Sequence, residues 1–142
     1  MTKQRIGSYY KWKNLGLCVS CGKTPMKNSV RCEKCAEKNR LRTLAHYHKI
    51  RLIVFTHYCG GKPCCQCPGC RTTYIGFLQL DHVKGDGKSH CKKHKLGFGG
   101  NRTWTWVLKN GFPEGFQVLC ANCNSTGGKR LKDQCPMHGK KH

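Results

Sequence analysis

Phe77-Leu78-Gln79-Leu80-Asp81-His82 alternates apolar Leu78 and Leu80 with polar Gln79 and ends on an acid–imidazole pair. Period-two alternation over so short a run marks a half-buried strand. Downstream, Phe116-Gln117-Val118-Leu119 is a second short apolar run, leading into Cys120-Ala121-Asn122-Cys123-Asn124. Upstream lies Cys67-Pro68-Gly69-Cys70. Two Cys-x-x-Cys knuckles supply the four thiolates of one tetrahedral zinc. That zinc would set the strands side by side and bring Asn124 near Asp81 and His82. On spacing alone the upstream pair is open, because Cys64 with Cys67 and Cys67 with Cys70 both have knuckle spacing. Gly69 and the short link to the strand favour Cys67 and Cys70, with Cys64 and Cys65 as bystanders.

The chain has 142 residues, enough for one or two small domains and no large core. Lysine and arginine number 27 against 6 acidic residues, a net charge of +21. Such a surplus points to a polyanion, because each neutralised phosphate releases condensed counterions. No apolar run approaches the ~18 residues of a membrane span. Met1 to Lys13 is charged and aromatic, without the apolar core of a signal peptide. Thirteen cysteines, an odd number, with several Cys-x-x-Cys pairs and no export signal, fit intracellular zinc rather than disulfides.

The first zinc module is Cys18-x2-Cys21 followed, ten residues on, by Cys32-x2-Cys35. Gly22 supplies the turn after the first knuckle. Lys23, Lys27, Arg31 and Lys34 give the module a basic surface that suits DNA. Residues 1–17 read as a basic arm whose Tyr9, Tyr10 and Trp12 pack on this module or contact DNA.

From Ala36 to about Tyr58 the pattern turns helical, with Leu41, Leu44, Ala45, Ile50, Ile53 and Val54 at mostly three- and four-residue spacings. Gly60-Gly61 gives the stop. His46, His48 and His57 read as surface or packing residues. The organisation expected is therefore a basic arm and zinc module over 1–35, a linking helix over 36–58, and a second domain over 59–142.

Between the two strands, Lys84-Gly85-Asp86-Gly87-Lys88 is a glycine-rich turn. His90, Cys91 and His94 follow, and then a short helix over Arg102 to Lys109 carries Trp104 and Trp106 on different sides. Asn110-Gly111 ends it and Pro113 prevents resumption. In the basic tail Cys135 and His138 look like half a metal site, to which Cys91 and His94 are the conceivable other half. Tail cysteines are more often unligated.

Cutting a phosphodiester requires an activated water, neutralised phosphate charge and a stabilised leaving 3′ oxygen. A neutral imidazole such as His82 takes a proton from water near neutral pH. The carboxylate of Asp81 and the amide of Asn124 are hard oxygen ligands that suit magnesium or manganese rather than zinc. Asp81 and His82, adjacent on a strand, point in different directions.

From about Tyr58 onward the chain resembles the HNH, or ββα-metal, endonucleases, above all phage-type and homing-enzyme-like members with a four-cysteine zinc. The residues that carry the resemblance are His57-Tyr58-Cys59-Gly60-Gly61-Lys62, Cys67-x2-Cys70, Phe77 to His82, His90, and Asn110 to Asn124. It implies a small α+β, zinc-stabilised ββα-metal fold with the four-cysteine module and linking helix before it. It further implies that Asp81 and Asn124 hold a catalytic Mg2+ or Mn2+, that His82 is the general base, and that His90 lies by the scissile phosphate. Cys67, Cys70, Cys120 and Cys123 would hold one structural Zn2+, beside the one on Cys18, Cys21, Cys32 and Cys35. The partner implied is double-stranded DNA, with RNA sharing the phosphate chemistry, and the setting is the cytoplasm of a bacterial host, for a phage or mobile-element product. The chain departs from the family in two places: Gly115 stands where many members have the middle asparagine, and Asn124 replaces the final histidine. The competing reading is a zinc-stabilised DNA- or RNA-binding protein with an inert nuclease fold.

Overall fold

The computed structural model describes residues 3–97 and 100–127; the tail from Gly128, with Cys135 and His138, lies outside the described residues. The elements in order are α1 (Lys3–Asn14), α2 (Glu33–Cys59), a 3-10 turn (Ile75–Phe77), β1 (Leu78–His82), α3 (Gly87–Lys93), α4 (Gly100–Lys109), β2 (Phe116–Cys120) and α5 (Ala121–Gly127). They divide into two compact units, residues 1–46 and 47–142. The boundary therefore falls inside the long helix, whose residues 36–58 the sequence predicts as a linker.

The first unit is organised around cysteines. Cys18 is fully buried, its N–H bonds the Thr24 carbonyl at 2.8 Å, and the Gly22 N–H bonds the Cys18 carbonyl at 2.7 Å. Gly22 lies flat against Trp12, where any Cβ would meet the indole at 2.6 Å. The tryptophan thus covers the knuckle, and much of the expected arm is helix α1. Its end is held by the Leu17 N–H on the Trp12 carbonyl at 2.8 Å.

In the second unit the latter half of α2 packs with the β-ribbon and α4. Ile50, Val54, Phe55, Leu78, Val107 and Val118 form the apolar core, each contributing roughly 1.5–3 kcal/mol by burial. The expected apolar stripe is only partly used, since Leu41 and Leu44 are 53% and 54% exposed. Ile53 is 39% exposed as well, so of that stripe only Ile50 and Val54 are buried in the core. The helix ends where expected, with the Gly61 N–H on the Thr56 carbonyl at 3.0 Å.

β1 and β2 pair antiparallel, with Leu78 opposite Cys120, Asp81 opposite Gln117 and His82 opposite Phe116. Alternation puts Leu78, Leu80, His82, Phe116, Val118 and Cys120 on one face and Gln79, Asp81, Gln117 and Leu119 on the other. Helix α5 continues directly from β2. The excursion between the strands holds α3, which the glycine-rich sequence had concealed, and α4, which starts two residues before Arg102. No helix among the described residues is long and apolar enough to cross a membrane.

Candidate metal centres and active site

Two groups of four cysteines have sulfurs that all lie within 4.8 Å of one another: Cys18, Cys21, Cys32 and Cys35, and Cys65, Cys70, Cys120 and Cys123. A tetrahedral zinc with bonds of about 2.3 Å requires sulfur–sulfur edges of roughly 3.8 Å. The Cys70 and Cys120 sulfurs are 3.6 Å apart. Both groups therefore have the dimensions and the donor chemistry of a structural zinc.

The first group matches the spacing of its knuckles. In the second, Cys65 takes the place that spacing gave to Cys67. The reason lies in the edge of β2. The Gln66 N–H donates to the Val118 carbonyl at 2.8 Å, and the Gln66 side-chain oxygen accepts the Val118 N–H at 2.6 Å. Gln66 so fastened, the preceding Cys65 lies over the start of α5, where its sulfur accepts the Cys120 N–H at 3.1 Å. Cys67 instead opens the turn, its carbonyl accepting the Cys70 N–H at 3.0 Å. A ligand loop with four intervening residues has no knuckle signature. The informative signal was Gln66, whose side chain imitates a strand.

In the first group Cys18 and Cys21 are poised to ionise, Cys21 chiefly through the backbone of Lys23 and Thr24, and Cys35 resists; in the second Cys70 is poised and Cys65 resists. Burial tends to raise Cys18, but the backbone of Cys32, Ser20 and Cys21 outweighs it and brings the thiol down to about 6. Cys35 is pushed up to about 12, first by its bond to Cys32, then by burial and the neighbouring cysteines. In the second group burial opposes ionisation of Cys70, yet the Thr72 hydroxyl and backbone and the thiols of Cys120 and Cys65 lower it to about 7. Burial pushes Cys65 up to about 11. Negative charge accumulates readily on one sulfur and poorly on four, which a divalent cation relieves.

The ribbon end beyond this cluster carries the remaining predicted residues. Asp81 accepts a hydrogen bond from the Gln117 amide at 2.8 Å. Asn124, near the start of α5, donates its amide to the Gln79 side-chain oxygen at 2.7 Å. Gln79 and Asp81 are two residues apart on one face, about 7 Å along the strand. Asn124 therefore lies against the same polar row as Asp81, its carbonyl being the amide end not given to Gln79.

His82 is on the opposite face. Its ring lies 4.6 Å from Phe116 and 4.9 Å from His90, centroid to centroid. His90 in turn lies 4.7 Å from His94 and 4.5 Å from Trp106. Gly87, at the start of α3, permits this crowding, since a Cβ there would sit 3.1 Å from the His82 Nδ1. The His82 Nε2 and both ring nitrogens of His90 are buried without a protein hydrogen-bond partner. Orphaned buried nitrogens cost about 1–3 kcal/mol each and concentrate where function requires them. Burial, followed by the charges of His82 and His94, pulls the His90 imidazole below its ordinary value.

Two further residues hold this corner, and of these Arg51 carries no local signal in the sequence. Arg51 bonds the carbonyls of Gly76 (3.3 Å) and Leu78 and sits 5.2 Å from the ring centres of Phe55 and Trp104. It clamps the start of β1. Gly115 has φ +94, and its carbonyl accepts the Val83 N–H at 3.0 Å. Gly115 thus forms a left-handed turn that closes the ribbon. The half-site of Cys135 and His138, which the sequence favours as unligated, lies outside the described residues. No protein-family model, no curated protein and no solved structure matches this chain.

Proposed function

We propose that the chain is an HNH-type, metal-dependent DNA endonuclease, acting in a bacterial host as a phage or mobile-element product. The observation that carries the reading is the buried, unpartnered His82 Nε2 at a strand end whose other face bears Asp81 and, through Gln79, Asn124. A carboxylate and an amide form a hard donor pair that fits Mg2+ or Mn2+ with waters filling the shell. When bound, the cation would neutralise the phosphate and the leaving 3′ oxygen. His82 takes the proton of the attacking water, which needs a neutral imidazole with no competing partner. Gln117 holds the Asp81 carboxylate in place, and Phe116 and His90 hold the ring. Asp81 and His82 are adjacent at the end of β1, so a phosphate at that end would meet the residues of both faces. A charge of +21 supplies the attraction to the polymer.

A second reading, a zinc-stabilised nucleic-acid-binding protein without activity, draws on the same hydrogen bonds, since Gln117 and Gln79 already satisfy Asp81 and Asn124. Supercoiled plasmid with Mg2+ separates the two. The wild type is expected to convert it to nicked or linear DNA, while His82→Ala binds equally but cuts at least about a hundredfold more slowly. Undiminished cutting by His82→Ala removes the base assignment, and a wild type that binds without cutting leaves the binding protein.

A further inference from the structure

A cavity of about 300 Å³ opens beside α4, with Tyr47, Lys95, Arg102, Trp106 and Lys109 on its walls. Arg102, Trp106 and Lys109 recur at helical spacing on one side of α4, while Thr103 and Val107 are buried on another. Three cations therefore converge with two aromatic rings. Among the described residues no carboxylate lies within ion-pair distance of those cations, the only ion pair there being Arg40 with Glu37. Arg102 is fixed by a bond from its Nη1 to the Leu96 carbonyl at 3.2 Å. It runs so close to Gly97 that a Cβ there would lie 2.5 Å from the same nitrogen.

Lys95 is the telling residue. It follows α3 with φ +53, in a left-handed C-terminal turn closed by the Leu96 N–H on the Cys91 carbonyl (3.0 Å) and the Lys95 N–H on the Lys92 carbonyl (3.3 Å). Glycine is the favoured occupant of this position, and a side chain there is strained. A lysine held against that preference, on the wall of a cationic pocket, indicates that its ammonium has a use. The pocket also adjoins the reactive corner, for Trp106 contacts His90 at 4.5 Å and His90 contacts His82 at 4.9 Å.

We propose that this pocket binds one nucleotide of the polynucleotide strand close to the bond that is cut. Its phosphate rests on Lys95, Arg102 and Lys109, and its base lies against Tyr47 or Trp106. Base–aromatic stacking together with a cationic cradle is the general solution for holding a single strand without reading its sequence, so the nucleotide bound here is an unpaired one. The pocket's place beside a cutting centre rests on the nuclease reading; its affinity for nucleotides does not.

The test uses the full-length chain purified with zinc and carrying His82→Ala, so that binding is read apart from cutting. Lys95→Gly is expected to leave the Tm equal or higher, because glycine suits the turn. It should make the plot of log affinity for a labelled single-stranded oligonucleotide against log salt shallower by about 0.7, and Arg102→Gln with Lys109→Gln by about 1.4. Ultraviolet crosslinking of a 5-iodouracil-substituted oligonucleotide should join the base to Tyr47 or Trp106, with deoxynucleoside monophosphate competing better than inorganic phosphate. Unchanged salt slopes, crosslinks confined to other aromatics, or equal competition by inorganic phosphate would overturn the pocket while leaving wild-type plasmid cutting untouched. Conversely, crosslinks at Tyr47 or Trp106 in a chain whose wild type never cuts would uphold the pocket and sink the nuclease.

Discussion

Exchanging Cys65 for serine should cost the second unit its metal, whereas the same change at Cys67 should not. Structural zinc shells bind with roughly 10–16 kcal/mol of apparent free energy at neutral pH. Shared over four sulfurs, one ligand is worth about 2.5–4 kcal/mol, or roughly two to three powers of ten in affinity at about 1.4 kcal/mol per decade. Cys65 has further to lose, since its sulfur also accepts the Cys120 N–H at 3.1 Å and it is 1% exposed. Cys67 is buried too, so Cys67→Ser should lower stability modestly while leaving the four clustered sulfurs intact. The assay is zinc per chain by native mass spectrometry, with a chromogenic chelator in competition. Two ions are expected for wild type and Cys67→Ser, and one for Cys65→Ser under chelator. Loss of an ion from Cys67→Ser with retention in Cys65→Ser would show that the knuckle spacing, not the Gln66 pairing, selects the ligands.

Tyr58 donates its hydroxyl to the Pro113 carbonyl at 2.6 Å, so Tyr58→Phe should cost about 1 kcal/mol in urea unfolding. Burial pushes the phenol up to about 12, above the ~10 of an unfolded chain. Its contribution is therefore complete below pH ~10 and lost as pH rises toward 12, and the variant should lose less over that range. His90 runs the other way: burial, then the charges of His82 and His94, lowers its pKa, so the stability it contributes is full above ~6.5 and lost as pH falls below the folded value. Ring-proton NMR should find it titrating below the usual histidine range, and a midpoint above ~6.5 would refute the packing argument. Duplex binding should weaken steeply with salt, with a log–log slope near −5 if about six phosphates are engaged; a flat response excludes phosphate-dominated contact.

Much of this architecture was legible because its signals are local. Leu78 and Leu80 alternating before Asp81-His82 marked β1, Gly60-Gly61 marked the end of α2, and Cys18, Cys21, Cys32 and Cys35 form a group at the spacing their knuckles announce. Helix α3 was hidden because Gly85 and Gly87 argue for a turn, and only the bulk of His82 explains why residue 87 has no side chain.

The linear chain by itself determined which chemistry is available: thirteen cysteines, a surplus of cations and one acid–imidazole pair. Tertiary structure decided which atoms meet. Cys65 rather than Cys67 joins the sulfurs because Gln66 pairs with Val118 across more than fifty residues. Arg51 reaches across twenty-seven residues to clamp β1, and Lys95 lines a pocket from a turn that disfavours it. Spacing records neighbours along the chain, whereas ligand sets and orphaned nitrogens depend on contacts that exist only once distant segments have packed.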